Sequence, residues 1–179
     1  MDIKKLNRKL TKLLTESKKS LNEDQIDHVM NAVLSEYDDK VIALALYLDI
    51  DLEADYEGYV DPDASEEEQK EQTEEAIAAV REELDSIIDE GDGYYSYSNQ
   101  EYTVYTDSEA DAVWEEKLDE YIEELILPNI PEDFRIYFDD DAWKRDARID
   151  GRGHTLSLYD GDEEEIEYKG VDYYIYRQS

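Results

Sequence analysis

The chain has 179 residues, no cysteine, 40% hydrophobic and 39% charged side chains, and a formal net charge of −33 from 51 acidic and 18 basic residues. These figures exclude disulfides and thiolate metal sites. No apolar run approaches about 18 residues and no leader with an apolar middle is present, so the expectation is a soluble cytoplasmic protein. Length allows one domain or two very small ones. The patterned Tyr, Leu and Ile runs predict a folded chain rather than an acidic tail. At one charge per ~1.7 Å of duplex axis, −33 equals the charge on roughly 55 Å of DNA, while a globule of this length is roughly 40 Å across. Direct binding of nucleic acid is therefore disfavoured, whereas binding to a protein that itself binds nucleic acid is compatible with this charge.

Residues 1–20 run against the average, with Lys4, Lys5, Arg8, Lys9, Lys12, Lys18 and Lys19 against Asp2 and Glu16, a net of +5. Ile3, Leu6, Leu10, Leu13 and Leu14 recur at helical spacing, which predicts a basic amphipathic helix. Such a helix suits a membrane or nucleic acid, but this body offers it a strongly acidic surface to dock on. The other expectation is a homodimer through the same helix. Ser20 and Glu23 form a capping-box pattern before Ile26, Val29, Met30, Val33, Leu34 and Tyr37. A third helix, 40–48, is apolar nearly all round. A DNA-reading helix-turn-helix is disfavoured, because the second and third helices lack a face of Arg, Lys, Asn and Gln. The loop 49–63 alternates Asp49, Asp51, Glu53 and Asp55, but Ala54 and Val60 stand where an EF-hand needs Gly and Glu.

Ser65 and Glu68 open a long helix expected to run to about Glu90 and to end at Gly91. Its apolar set is Ala76, Ile77, Val80, Leu84, Ile87 and Ile88, so the turns from Ser65 to Glu75 are expected to project into water. Tyr94–Tyr97 and Glu101–Tyr105 read as a hairpin about Ser98-Asn99-Gln100. Thr106 and Glu109 cap a second acidic helix, to about Leu127, stopped by Pro128 and Pro131. Its expected buried stripe is Ala110, Val113, Trp114, Leu118, Tyr121, Ile122, Leu125 and Ile126. A run of carboxylates is ordinarily a solvated helix face, but two such helices in one chain suggest a surface with a partner. The candidate partner-facing residues are Glu66, Glu67, Glu68, Glu71, Glu74, Glu75, Glu82 and Glu83 on the first helix. On the second they are Glu115, Glu116, Asp119, Glu120, Glu123 and Glu124.

Phe134–Phe138 is a short apolar piece, and a short helix over 139–148 carries a basic spot of Lys144, Arg145 and Arg148. Ile166–Tyr168 and Val171–Arg177 alternate about Lys169-Gly170, a second hairpin. Tyr173, Ile175 and Arg177 are expected on one face and Tyr174 and Tyr176 on the other. The predicted class is α+β, acidic helices on a small antiparallel Tyr-rich sheet. The expected division is a helical region over 1–49 and an acidic domain over 50–179, possible also as one continuous domain.

From about Glu101 onward the chain resembles a group of small acidic tailed-bacteriophage proteins of no assigned activity. The likeness rests on Tyr102-x-Val104-x-Thr106-Asp107-x-Glu109-Ala110-Asp111, the Trp143 helix, Asp150-Gly151-Arg152-Gly153-His154 and the Tyr173-Tyr174-Ile175-Tyr176-Arg177 ending. It implies a phage origin and the host bacterial cytoplasm as location. Small acidic phage proteins often inhibit host defence, including anti-restriction and anti-CRISPR proteins that imitate DNA; that is analogy of charge and fold.

The stretch Asp150–Gly161 is the most motif-like in the chain. Asp150, His154 and Asp160 are the residue types of a metal or acid–base site, and Arg152 suits a phosphate. Against this, His28 and His154 are the only histidines, no paired ligand spacing exists, and Ser157 has no nucleophile elbow. Gly151, Gly153 and Gly161 with Asp150 and Asp160 read better as turn chemistry, with Arg152 and His154 pairing to carboxylates. The leading expectation is a non-enzymatic, cofactor-free inhibitor that mimics nucleic acid and binds a host nucleic-acid-binding defence protein. The alternatives are a metal-dependent enzyme at 150–160 and an acidic assembly protein.

Overall fold

The computed structural model describes residues 30–52 and 64–179, and the chain divides into two compact units, Met1–Ile87 and Ile88–Ser179. The expected basic helix over 1–20, the dimer contact assigned to it, the Ser20 capping box and the loop 53–63 lie outside the described residues.

In the first unit, residues 30–34 are helical, and Val33 is buried against Ile77 with Met30 and Tyr37 packed on the pair. Tyr37 lies beyond the helix and its hydroxyl donates to Asp85 Oδ1 at 2.8 Å. Helix α1 (Asp39–Tyr47) starts at Asp38, whose carboxylate accepts the Lys40 amide. Five consecutive residues of α1, Val41 to Ala45, are buried, as expected of a helix apolar all round. Helix α2 (Glu66–Asp85) opens on a reciprocal capping box between Ser65 and Glu68.

Two expectations for α2 are corrected. The helix stops at Asp85, and residues 88–91, read as its last turn, form a strand. Ile87 and Ile88 continue the helical spacing, but Gly91, Asp92 and Gly93 all take positive φ and turn the chain into a hairpin; Ile87 is buried and Ile88 exposed. The early turns are also not wholly in water. Gln69 and Thr73 are buried and prolong the Ala76, Ile77, Val80, Leu84 stripe by two turns. Each has its polar atoms satisfied: the Gln69 amide donates to Ala64 O at 3.2 Å and the Thr73 hydroxyl to Gln69 O at 2.8 Å. Since α2 packs on α1 and on Val33, the first unit runs on to Ile87, past the division expected after residue 49.

The second unit is built on a five-stranded antiparallel sheet in the order β1-β2-β3-β5-β4, from β1 (Ile88–Gly91), β2 (Tyr94–Tyr97), β3 (Gln100–Thr106), β4 (Glu164–Tyr168) and β5 (Val171–Arg177). The fold class is α+β, as the sequence predicts. Ser98 and Asn99 make the β2–β3 turn with φ of 49° and 65°, the left-handed pair that a two-residue hairpin requires. Register pairs Val104 with Ile175 and Tyr105 with Tyr174. Tyr102, Val104, Tyr173, Ile175 and Arg177 therefore share one face, and Thr103, Tyr105, Tyr174 and Tyr176 the other.

Helix α3 (Asp107–Tyr121) lies against the second face, where Tyr105, Ala110, Leu156 and Tyr176 form a buried cluster flanked by Val113, Trp114 and Tyr174. Its chain widens into a π-turn at Ile122–Ile126 and tightens into a 3-10 turn at Leu127–Asn129. Pro128 cannot donate to Glu124 O and its ring crowds that carbonyl, which accounts for the loss of α-helical winding there. The buried stripe is shorter than expected: Ala110, Leu118 and Ile122 are buried, whereas Tyr121 and Leu125 are exposed. The apolar piece at 134–138 belongs to α4 (Glu132–Arg135) and the turn after it, and leaves Phe134, Ile136 and Tyr137 exposed. Helix α5 (Asp140–Ala147), a 3-10 turn (Arg148–Asp150) and the short α6 (Arg152–Leu156) follow.

The motif-like stretch is thus half helical, and it closes on itself. Gly151 takes φ 84° between the 3-10 turn and α6. Gly153 sits so close to the following loop that a Cβ there would come within 2.5 Å of the Gly161 carbonyl oxygen. Replacing Gly153 by Ala should lower the stability of the second unit by about 2 kcal/mol through overpacking against backbone. Gly170→Ala, where the same atom meets open space and only the positive φ resists, should cost about 1 kcal/mol. Urea unfolding followed by tryptophan fluorescence checks this, since Trp114 and Trp143 both report on the second unit.

Candidate functional site

Asp107, Asp111, Glu115 and Asp119 recur every fourth residue on α3 and so line one side of it. Lys144, Arg148 and Arg152 recur every fourth residue on the segment that packs against it in the opposite direction. The two rows interlock. Lys144 Nζ lies 2.6 Å from Glu115 Oε1 and 2.5 Å from Asp119 Oδ1, and Arg148 pairs with Glu115. Arg152 Nη1 lies 2.8 Å from Asp107 Oδ1 and 3.0 Å from Asp111 Oδ1, while its Nε reaches Glu163 Oε2 at 3.0 Å. The guanidinium carbon is 4.3 Å from the centre of the Tyr174 ring, and the Tyr176 hydroxyl donates to Glu163 Oε2 at 2.5 Å.

The electrostatics follow from this geometry. Burial works against the charge on Arg152, whose side chain is 12% exposed. Its hydrogen bonds to Asp107 and Glu163 outweigh that penalty and hold its pKa above the ordinary arginine value. Burial and the bond to Glu163 push the Tyr176 hydroxyl up. The Lys144 hydrogen bond holds Glu115 below the usual carboxylate range against a smaller effect of burial, with Arg148 adding to the shift. Bonds to Asp119 and Glu115 raise Lys144.

The candidate partner-facing residues therefore split. Glu115 and Asp119, expected to face a partner, are held by Lys144 and Arg148 within the unit. Glu116, Glu120, Glu123 and Glu124 are exposed, Glu120 beside Lys117 at 2.8 Å. On α2, Glu66 opens the helix, and Glu67, Glu68, Glu71, Glu74, Glu75, Glu82 and Glu83 are exposed. Glu68 is taken by the capping box and Glu74 lies 3.8 Å from Lys70. Because α2 has nine acidic and two basic residues in 20, it carries −7 along about 30 Å of axis. One strand of a duplex carries about 9 charges over the same length.

Of the three residues of the alternative metal reading, only two come together. Asp150 and His154 line a cleft of about 550 Å³ with Tyr121, Trp143 and Asp146. Asp160 is turned to its own loop, accepting from Ser157 Oγ at 2.7 Å and from the Asp162 amide at 3.1 Å. Among the described residues no group of three His, Asp or Glu side chains is placed to hold a metal ion. Ser157 is tied up in the same way, lying 2.9 Å from the Arg177 carbonyl oxygen, and Trp114 Nε1 donates to Thr155 Oγ1 at 3.1 Å.

Sequence reading missed Glu163 and Tyr174 as partners of Arg152, and Tyr176 as the hydroxyl that bonds Glu163. The signal that could have found the interlock was the pair of four-residue spacings with opposite sign. No family model, no curated protein and no solved structure matches the chain.

Two outcomes follow for stability. Arg152→Met should lower it by about 2 kcal/mol, less than the 3–5 kcal/mol of a fully buried pair because Asp107 and Asp111 stay hydrated, and Arg152→Lys should fall between. Chemical denaturation at pH 7 measures both. Glu115, with its pKa lowered in the fold, stabilises fully above the unfolded carboxylate value of about 4.3 and loses that contribution as pH falls through the lowered folded value. The difference between wild type and Glu115→Gln, about 0.5–1 kcal/mol for so exposed a group, should be constant above about pH 5. It should vanish on further acidification in paired thermal melts.

Proposed function

We propose that this chain is a phage-encoded, non-enzymatic mimic of nucleic acid. It acts in the bacterial host cytoplasm on a nucleic-acid-binding defence protein, as anti-restriction and anti-CRISPR proteins do. The observation that carries the reading is the exposed carboxylate surface of α2. Glu67, Glu71 and Glu75 repeat every fourth residue, about 6 Å apart along the axis, on a helix fixed by a capping box and a buried stripe. A basic groove built for phosphates meets there fixed negative charge at nearly single-strand density. Long-range steering then accelerates encounter. Glu116 and Glu120 on α3, with Glu123 and Glu124 in the π-turn that continues it, extend the same chemistry on the side away from the interlocked row. Among the described residues no helix is long and apolar enough to cross a membrane, which suits such a role.

The test must spare the interlock. Reversing Glu115 or Asp119 would break the pairs with Lys144 and Arg148, so loss of activity there would be ambiguous. The informative variants are Glu67→Lys/Glu71→Lys/Glu75→Lys and Glu116→Lys/Glu120→Lys/Glu123→Lys/Glu124→Lys. Host lysate passed over the immobilised protein should yield a nucleic-acid-binding protein at ~50 mM salt and release it at ~0.5 M, where the Debye length falls below about 5 Å. Duplex DNA or RNA should compete for that protein. At least one reversed variant should bind it 10-fold or more weaker with an unchanged circular dichroism spectrum. Equal binding by both variants would sink the proposal.

A further inference from the structure

The cleft of about 550 Å³ falls within the range of ordinary small-ligand sites, roughly 300–1,000 Å³. Its apolar wall is Leu118, Tyr121 and Trp143, the two rings stacked at 5.4 Å and 12°. Its polar wall holds Asp146 and Asp150, which are exposed and have no cationic partner among the described residues. That contrasts with the bases around it. Lys117, which lines the cleft together with His154, is held by Glu120 at 2.8 Å. Lys144, Arg148 and Arg152 are engaged by α3 and Glu163, and Arg145 is exposed and does not line the cleft. An anionic ligand would meet two carboxylates in a chain of charge −33. A neutral one would desolvate those carboxylates without a partner.

We propose that this cleft binds a flat organic cation of the amidinium or guanidinium class. The apolar body lies against Leu118, Tyr121 and Trp143, and the charge meets Asp146 and Asp150. The site needs only the second unit and stands whether or not the acidic helices engage a partner.

Titration calorimetry and the Trp143 indole N–H signal of the full-length chain test it with three probes of one shape: benzamidine, benzamide and benzoate. Benzamidine should bind saturably and at least 10-fold tighter than benzamide, and benzoate not at all. Asp146→Asn/Asp150→Asn should bring benzamidine down to the benzamide level while leaving benzamide unchanged. Glu71→Gln/Glu75→Gln, which removes the same charge from exposed positions on α2, should leave benzamidine binding intact. A fourth probe, N-acetyl-arginine amide, separates sources. If it binds comparably, the group belongs to a peptide side chain; if it fails where benzamidine binds, the ligand is a free aromatic cation. Either result supports the site. Equal affinity for benzamidine and benzamide, no saturation below ~10 mM, or equal weakening by the α2 control would overturn it.

Discussion

A chain of net charge −33 is pushed apart by its own field, and the second unit answers with one contact on which its other parts depend. Arg152 gathers Asp107 and Asp111 from the start of α3, Glu163 from the approach to β4 and the face of Tyr174 on β5. Glu163 in turn takes the Tyr176 hydroxyl from the buried side of the sheet. One guanidinium therefore ties together α3, the segment leading into β4, and β5. A lysine could not do so equally well, because its single ammonium lacks the planar fork and the stacking surface. Asp107 and Asp111 also sit in the first turns of α3, where the helix dipole favours negative charge.

The same interlock gives α3 two electrostatic sides. The row Asp107, Asp111, Glu115 and Asp119 is matched by bases from a neighbouring segment, whereas Glu116 and Glu120 on the other side are exposed. Exposed ion pairs such as Lys117 with Glu120 contribute under about 1 kcal/mol each, and the carboxylates beyond them repel one another. Their number is larger than solubility requires. Charge that burdens the fold and is nonetheless mounted on capped, packed helices is what the proposed basic partner would account for.

Much of the architecture could be read in the sequence because it is set locally. Ser65 with Glu68, Thr106 with Glu109, Ser98-Asn99 and Lys169-Gly170 each specify a cap or a turn within four residues, and each is found where expected. The errors arise where a local pattern was ambiguous or a long-range contact decided. Ile87 and Ile88 prolong a helical spacing, and only the turn chemistry of Gly91-Asp92-Gly93 breaks it. Gln69 and Thr73 are polar by type and buried by position, because backbone carbonyls next to them accept their hydrogens. Arg152 and Glu163 meet across a loop that no periodicity describes. As for the candidate site, Asp150 and His154 do share a cleft, but Asp160 is spent on its own turn.

The motif that looks most like chemistry is explained by the interlock. Gly151 lets the chain turn sharply from the 3-10 turn into α6, and Gly153 lets α6 close on the Gly161 loop with no room for a side chain. The arginine between them is delivered inward, onto α3 and Glu163. Two residues along a helix rotate by about 200°, so His154 leaves α6 on the side opposite Arg152, and Asp150, before the Gly151 turn, lines the same cleft as His154. The geometry that buries one cation therefore exposes Asp150 and His154 to the cleft beside Tyr121 and Trp143. Arg152 supplies counter-charge to the inner row of α3, and the cleft retains carboxylates that no base of the unit has taken up.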